Sequence, residues 1–322
     1  MKKVLFLLLV SLIAFGQKTP EDFGYKYIRL DYKKTKVDVL IQSKKGEENI
    51  KKPLFFFCQG SMPQPLLKYD ETGLYGTFPF DVNDFLDEFH VVIVGKPGIP
   101  VISNVKDLKN NYQYLVENDN VPKTYSDNNY LDYYVNRNDF VINKLLKENW
   151  ISNSKLVVAG HSEGSTIASK LATKNKKVTH LIYSGGNPYG RILSMLEEEV
   201  YRRKNYDLIE YWKFVVENKD NLDYNGGDTY KATYDFSQPS AIYLKKIKIP
   251  ILITYGTKDW NAPYNDLLQI ESIQSNLKNL TFKPYFDVEH NFFPVNENRE
   301  PNYEVYNWEN VGKDWKIWLD KN

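Results

Sequence analysis

Gly160-His161-Ser162-Glu163-Gly164 sets a serine between two glycines at a spacing that chemistry can use. A serine hydroxyl is a weak nucleophile until a base takes its proton, so it needs an imidazole within reach and an acid that holds the ring in one tautomer. The chain has four histidines: His90, His161, His180 and His290. His90 and His180 begin apolar runs and His161 lies inside the serine motif, which points to structural roles for all three. His290, in FDVEHNFF, is the candidate base, and Asp259, in ITYGTKDWNAP, is the candidate acid. Asp287 and Glu289 compete with Asp259, and are read as groups that orient or solvate the His290 loop.

Such a set needs a frame. LFFFC (54–58), VVIV (91–94), LVVA (156–159), HLIYS (180–184) and ILITY (251–255) are short, nearly continuous apolar runs, as expected for parallel strands buried on both faces. LTFKPYF (280–286) alternates less cleanly and carries Pro284, which predicts an edge position. Tyr25 to Tyr32 and Val37 to Gln42 read as an antiparallel pair turning at Lys33 to Thr35. Between the strands, apolar residues recur at helical spacing: Leu131, Tyr134, Val135, Val141, Ile142 and Leu145; Ile167, Ala168, Leu171 and Ala172; then Leu267, Ile270, Ile273 and Leu277. Trp308, Val311, Trp315 and Trp318 predict a closing helix packed on the sheet. This alternation implies an α/β fold with a mainly parallel central sheet flanked by helices on both faces.

The serine motif follows LVVA directly and precedes the helix-spaced segment from Thr166. In that strand-turn-helix setting G-x-S-x-G is a nucleophile elbow, whereas an accidental match would carry no such flanks. LVVAGHSEGSTIASKLA resembles strand five, elbow and following helix of the α/β-hydrolase superfamily, and Gly256-Thr257-Lys258-Asp259 resembles its acid loop. The resemblance covers nearly all of 25–322 and implies a Ser162, Asp259, His290 triad in that chain order. Its oxyanion hole would be built from the backbone NH of Glu163 and one NH from the loop Gln59-Gly60-Ser61-Met62-Pro63, namely that of Ser61. Gln59 stands where the family's loop has a histidine. The implied activity is a serine hydrolase working through an acyl-enzyme, foremost a carboxyl-ester hydrolase. A peptidase or aminopeptidase of the same fold is the first alternative, and a binding module that keeps the fold without turnover is the second.

The chain's 322 residues, 42% of them apolar, are enough for a substantial core. Lys2-Lys3, the run VLFLLLVSLIAF and Gly16 form a secretory signal peptide over 1–16, too short for a membrane anchor, which implies export to the periplasm or medium. The rest, 17–322, reads as one domain with a partly helical cap inserted at about 192–246, and 99–129 is a second long excursion of lid, rim or disordered type. Losing Lys2 and Lys3 takes the formal charge from +1 to −1, and without a basic block nucleic acid is excluded as a partner. One cysteine, Cys58, excludes an internal disulfide. The spacing of Asp287, Glu289 and His290 matches no strong metal-ligand pattern, and no phosphate or dinucleotide loop appears, so no cofactor or metal is implied. The partner is a small ester or peptide. Glu197-Glu198-Glu199 in the cap could attract a peptide amino terminus but reads first as a solvated helix face, and Tyr201, Tyr206, Tyr211 and Trp212 could line a pocket or pack in the core.

Overall fold

The computed structural model describes residues 18–76, 78–223 and 227–322, so the expected signal peptide lies outside the described residues. The chain starts with β1 (Tyr25–Tyr32) and β2 (Thr35–Gln42), then β3 (Lys52–Cys58), β4 (Leu67–Asp70), β5 (Gly73–Tyr75), α1 (Asn83–Leu86), β6 (His90–Val94) and β7 (Ile102–Asn104). Next come α2 (Lys123–Ser126), α3 (Leu131–Leu145), β8 (Ile151–His161), α4 (Glu163–Lys174) and β9 (His180–Ser184). Helices α5 (Arg191–Arg203), α6 (Asp207–Glu217), α7 (Tyr230–Phe236) and α8 (Ala241–Leu244) precede β10 (Ile251–Gly256), α9 (Ala262–Gln274), β11 (Leu280–Tyr285) and α10 (Trp308–Lys321).

Among the described residues, eight strands form the main sheet in the order β1-β2-β6-β3-β8-β9-β10-β11. β1 pairs antiparallel with β2, and β2 with β6; every later pairing is parallel. Tyr32 pairs with Thr35, so the hairpin turns on Lys33-Lys34, and Lys33 takes the left-handed conformation (φ 51°) that a tight hairpin requires. β11 lies at the edge, where Pro284 removes a donor from only one ladder.

The apolar strands divide their side chains by parity between two cores. Leu54, Phe56, Val158, Leu181 and Ile253 face α3, α4, α8 and α9. Phe55, Phe57, Val157, Ile182 and Leu252 face α1 and α10, where Trp308 and Trp315 close the layer. Covering both faces is why these strands are continuously apolar.

One helix differs from its expected face. On α9, Leu267, Ile270 and Ile273 are 42%, 54% and 72% exposed, and Ala262, Asn265, Leu268 and Ser272 are inside. Asn265 Nδ2 donates to the Gly186 carbonyl at 3.0 Å, and Ser272 donates within its own helix. The loop after β9 brings carbonyls that need donors to this interface, so polar residues displace the apolar stripe. The long segment 99–129 is ordered around β7, α2 and a small cluster of Ile99, Val121 and Tyr125. β7 joins β4 and β5 in a separate small sheet beside the site.

Candidate active site

The strand β8 ends at His161 and α4 begins at Glu163, leaving Ser162 alone to reverse the chain. It does so at φ 57°, ψ −127°, a strained conformation for a residue with a side chain. Both flanking glycines are required by close approach. A Cβ on Gly160 would lie 2.1 Å from the Gly164 carbonyl oxygen, and one on Gly164 would lie 2.0 Å from that of Cys58. The elbow is tied to its neighbour strand, with Ser162 NH donating to the Ser184 carbonyl at 2.9 Å. Ser162 and His290 both line each of two cavities, of about 320 and about 760 Å3.

Asp259 follows β10 and His290 follows β11, and the two meet: His290 Nδ1 lies 2.8 Å from Asp259 Oδ2. Asp259 is 4% exposed. Its carboxylate also accepts from Asn261 NH (3.0 Å) and Asn261 Nδ2 (3.3 Å), and the same amide donates to the Gly185 carbonyl at 2.8 Å. Asn261 thus fixes the acid to the end of β9. Burial favours the neutral form of His290, but the charge and hydrogen bond of Asp259 outweigh it and hold the ring's pKa above its ordinary value. His161 packs against His290 with centroids 4.9 Å apart, and burial together with the His290 charge holds it well below its ordinary value, so it stays neutral. The competing acids have other partners. Glu289 accepts the NH groups of Asn291 (2.7 Å) and Phe293 (3.1 Å) and so shapes the loop, while exposed Asp287 lies 3.6 Å from Lys258.

The loop 59–63 lies against the elbow, with a Cβ on Gly60 falling 3.8 Å from that of Ser162. Gln59, in place of the family's histidine, donates to the Val94 carbonyl at 2.7 Å. Tyr125 Oη donates to the Ser61 carbonyl at 2.8 Å, which fixes the Ser61–Met62 peptide plane in this loop. Glu163 presents its NH at the first turn of α4, where the helix dipole favours negative charge. Its side chain turns away into a buried network. Lys96 Nζ lies 3.0 Å from Glu163 Oε1, with both side chains 1% exposed. Arg191, at the start of α5, reaches Glu163 at 3.4 Å and Asp228 at 2.9 Å. These charges join the elbow, the end of β6 and the inserted helices. No spacing in the sequence links them, and Lys96, Arg191, Tyr125 and Asn261 carried no readable signal.

Helix α5 supplies Arg191, Ser194, Met195, Glu198 and Arg202 to the smaller cavity. Within the acidic run, Glu198 is paired with Arg202 at 2.8 Å, and Glu199 caps the next helix by accepting Leu208 NH at 2.8 Å. Tyr201 and Tyr206 are exposed, and Tyr211 lines a separate groove beside Tyr230. Among the described residues no group of three or more His, Cys, Asp or Glu is placed to hold a metal ion, and no helix is long and apolar enough to cross a membrane.

Residues 131–288 match the family model described as BAAT / Acyl-CoA thioester hydrolase C terminal. No curated protein sequence matches the chain. Among solved structures it is similar to an esterase of Pyrococcus furiosus, with a TM-score of 0.57 at 13% identity, covering 95% of this chain and 93% of that one. It is also similar to a 2,6-dihydroxy-pseudo-oxynicotine hydrolase, with a TM-score of 0.52 at 17% identity, covering 92% and 67%. An acylaminoacyl peptidase of Pyrococcus horikoshii aligns at 15% identity and a TM-score of 0.49 over 83% of this chain, which spans 37% of that peptidase's length. At these identities the structural likeness is one of fold. With its sheet order, its elbow and a hydrolase-family match across 131–288, the chain has the α/β-hydrolase fold.

Proposed function

We propose that the protein is an exported serine hydrolase that cleaves carboxyl esters through an acyl-enzyme. Ser162 Oγ attacks the ester carbonyl as His290 Nε2 takes its proton, and Asp259 holds the ring's tautomer and balances the imidazolium. The new C–O bond pushes the carbonyl electrons onto oxygen, where the NH groups of Glu163 and Ser61 receive the charge; each such donor is worth roughly 100- to 1000-fold in rate. Collapse expels the alcohol, which leaves with the proton from His290, and water then repeats the sequence to release the acid. The observation that carries this reading is the 2.8 Å Asp259–His290 hydrogen bond, with His290 and Ser162 together in the wall of both cavities.

The helical insertion, expected as a cap over 192–246, screens the smaller cavity through α5 and so selects what enters. An ester is favoured over a peptide because the cavity's Glu198, the group that would hold an amino terminus, already pairs with Arg202 at 2.8 Å. The matched family's description adds thioesters, which pass through the same acyl-enzyme. The test is pre-steady-state hydrolysis of p-nitrophenyl esters, an acyl thioester and aminoacyl p-nitroanilides. A burst of nitrophenol near one equivalent per enzyme supports the acyl-enzyme ester hydrolase; faster turnover of nitroanilides would replace it with the peptidase, and no turnover of any substrate with the binding module.

A further inference from the structure

The two cavities that meet at Ser162 differ in charge. The smaller carries Glu163, Glu198, Asp259 and Glu289 against Arg191 and Arg202. The larger, about 760 Å3, has no Asp or Glu among its described lining residues, and apart from the rings of His161 and His290 its one basic side chain among them is Lys68, from β4 of the small sheet. The rest of that wall is mostly apolar and aromatic, including Leu66, Tyr75, Tyr112 and Tyr306.

Lys68 is 9% exposed. Of the lysines buried among the described residues, Lys52 pairs with Glu47 and Lys96 with Glu163, but Lys68 has no carboxylate within ion-pair distance. Its amine has one long hydrogen bond, 3.4 Å to the Pro65 carbonyl. Asp70, two residues on, is occupied by Thr72 and the Tyr75 hydroxyl. Burial without a counter-charge pushes the Lys68 ammonium down to about 8, and a buried cation in this condition is costly unless a ligand anion completes it. Each part of the arrangement therefore lacks the same thing: a carboxylate within the larger cavity.

Resting on the ester-hydrolase reading, we infer that the preferred substrate is an ester bearing a free carboxylate, whose charged end sits in the larger cavity against the Lys68 ammonium. The carboxylate takes no part in bond making. It adds a charge-assisted hydrogen bond in a partly desolvated site, which corresponds to a preference of about tenfold or more over the neutral ester.

The experiment compares kcat/KM for two matched pairs, each corrected for spontaneous hydrolysis. Mono-p-nitrophenyl glutarate against p-nitrophenyl methyl glutarate places the charge on the acid side; 4-acetoxybenzoate against methyl 4-acetoxybenzoate places it on the alcohol side. The wild type is expected to favour the anion by about tenfold or more in one pair, and Lys68→Met to bring that ratio to 1 or below. Lys68→Gln serves if Lys68→Met does not fold. Turnover of the neutral esters with no anionic preference in either pair overturns this inference alone, as does a preference that survives loss of the lysine. No turnover of any of the four overturns the ester-hydrolase reading and this inference together.

Discussion

Lys96→Met probes the buried charges beneath the elbow. In the wild type, Lys96 Nζ and Glu163 Oε1 are 3.0 Å apart and both side chains are 1% exposed, so neither ion is solvated by water. Removing one partner of a buried pair costs about 3–5 kcal/mol, because the other charge is left without compensation. Here Arg191, 3.4 Å from the second carboxylate oxygen, still offsets part of it. The expected loss is therefore at or below the lower limit of that range, about 2–3 kcal/mol. At about 2–3 °C per kcal/mol for a chain of this size, the melting temperature falls by about 6 °C. Lys96→Met/Glu163→Leu removes both charges and should recover at least half of the loss, since an apolar pair can replace a buried ion pair of similar volume. Urea unfolding of the wild type and of the two variants measures the difference. A single variant within about 0.5 kcal/mol of wild type, or a double variant less stable than the single, would show that the network does not hold the elbow in place.

Two further predictions address the histidine and the helix with the unexpected face. His290 must be neutral to accept the proton, and Asp259 raises its pKa, so kcat/KM for a neutral ester should fall on the acid side through a midpoint above the ordinary histidine value of about 6.5. Asp259→Asn should move that midpoint to lower pH while cutting kcat by roughly 10,000-fold; a midpoint that stays put detaches the carboxylate from the base. On α9, Leu268→Ala should cost about 2–5 kcal/mol, and Ile273→Ser, at a position 72% exposed, should change stability by less than about 0.5 kcal/mol. Denaturation midpoints in the reverse order would restore the face expected from apolar spacing.

That helix shows where sequence reading stopped working and why. The strands β3, β6, β8, β9 and β10 were legible because burial on both faces leaves an unbroken apolar run, and α10 because its tryptophans keep helical spacing on one buried side. On α9 the rule failed because the loop after β9 demands a hydrogen-bond donor, so Asn265 takes an inside position, and the small Ser272, bonded within its own helix, takes another. The small sheet β4-β5-β7 uses strands of three or four residues, too short for a period to register. Ser162, Asp259 and His290 were singled out by local motifs at strand ends, and the structure brings the last two into contact. Lys96, Tyr125 and Arg191 act through contacts between distant parts of the chain, and each resembles any other surface lysine, tyrosine or arginine until the fold is known.

The most direct measurement at Ser162 is covalent labelling with a fluorophosphonate, followed by mass spectrometry of the digested protein. The active wild type should carry one adduct, on the peptide containing Gly160-His161-Ser162-Glu163-Gly164, and folded Ser162→Ala should carry none. A folded, ester-cleaving wild type that resists the probe, or an adduct that persists in Ser162→Ala, would contradict the assignment of Ser162 as the nucleophile.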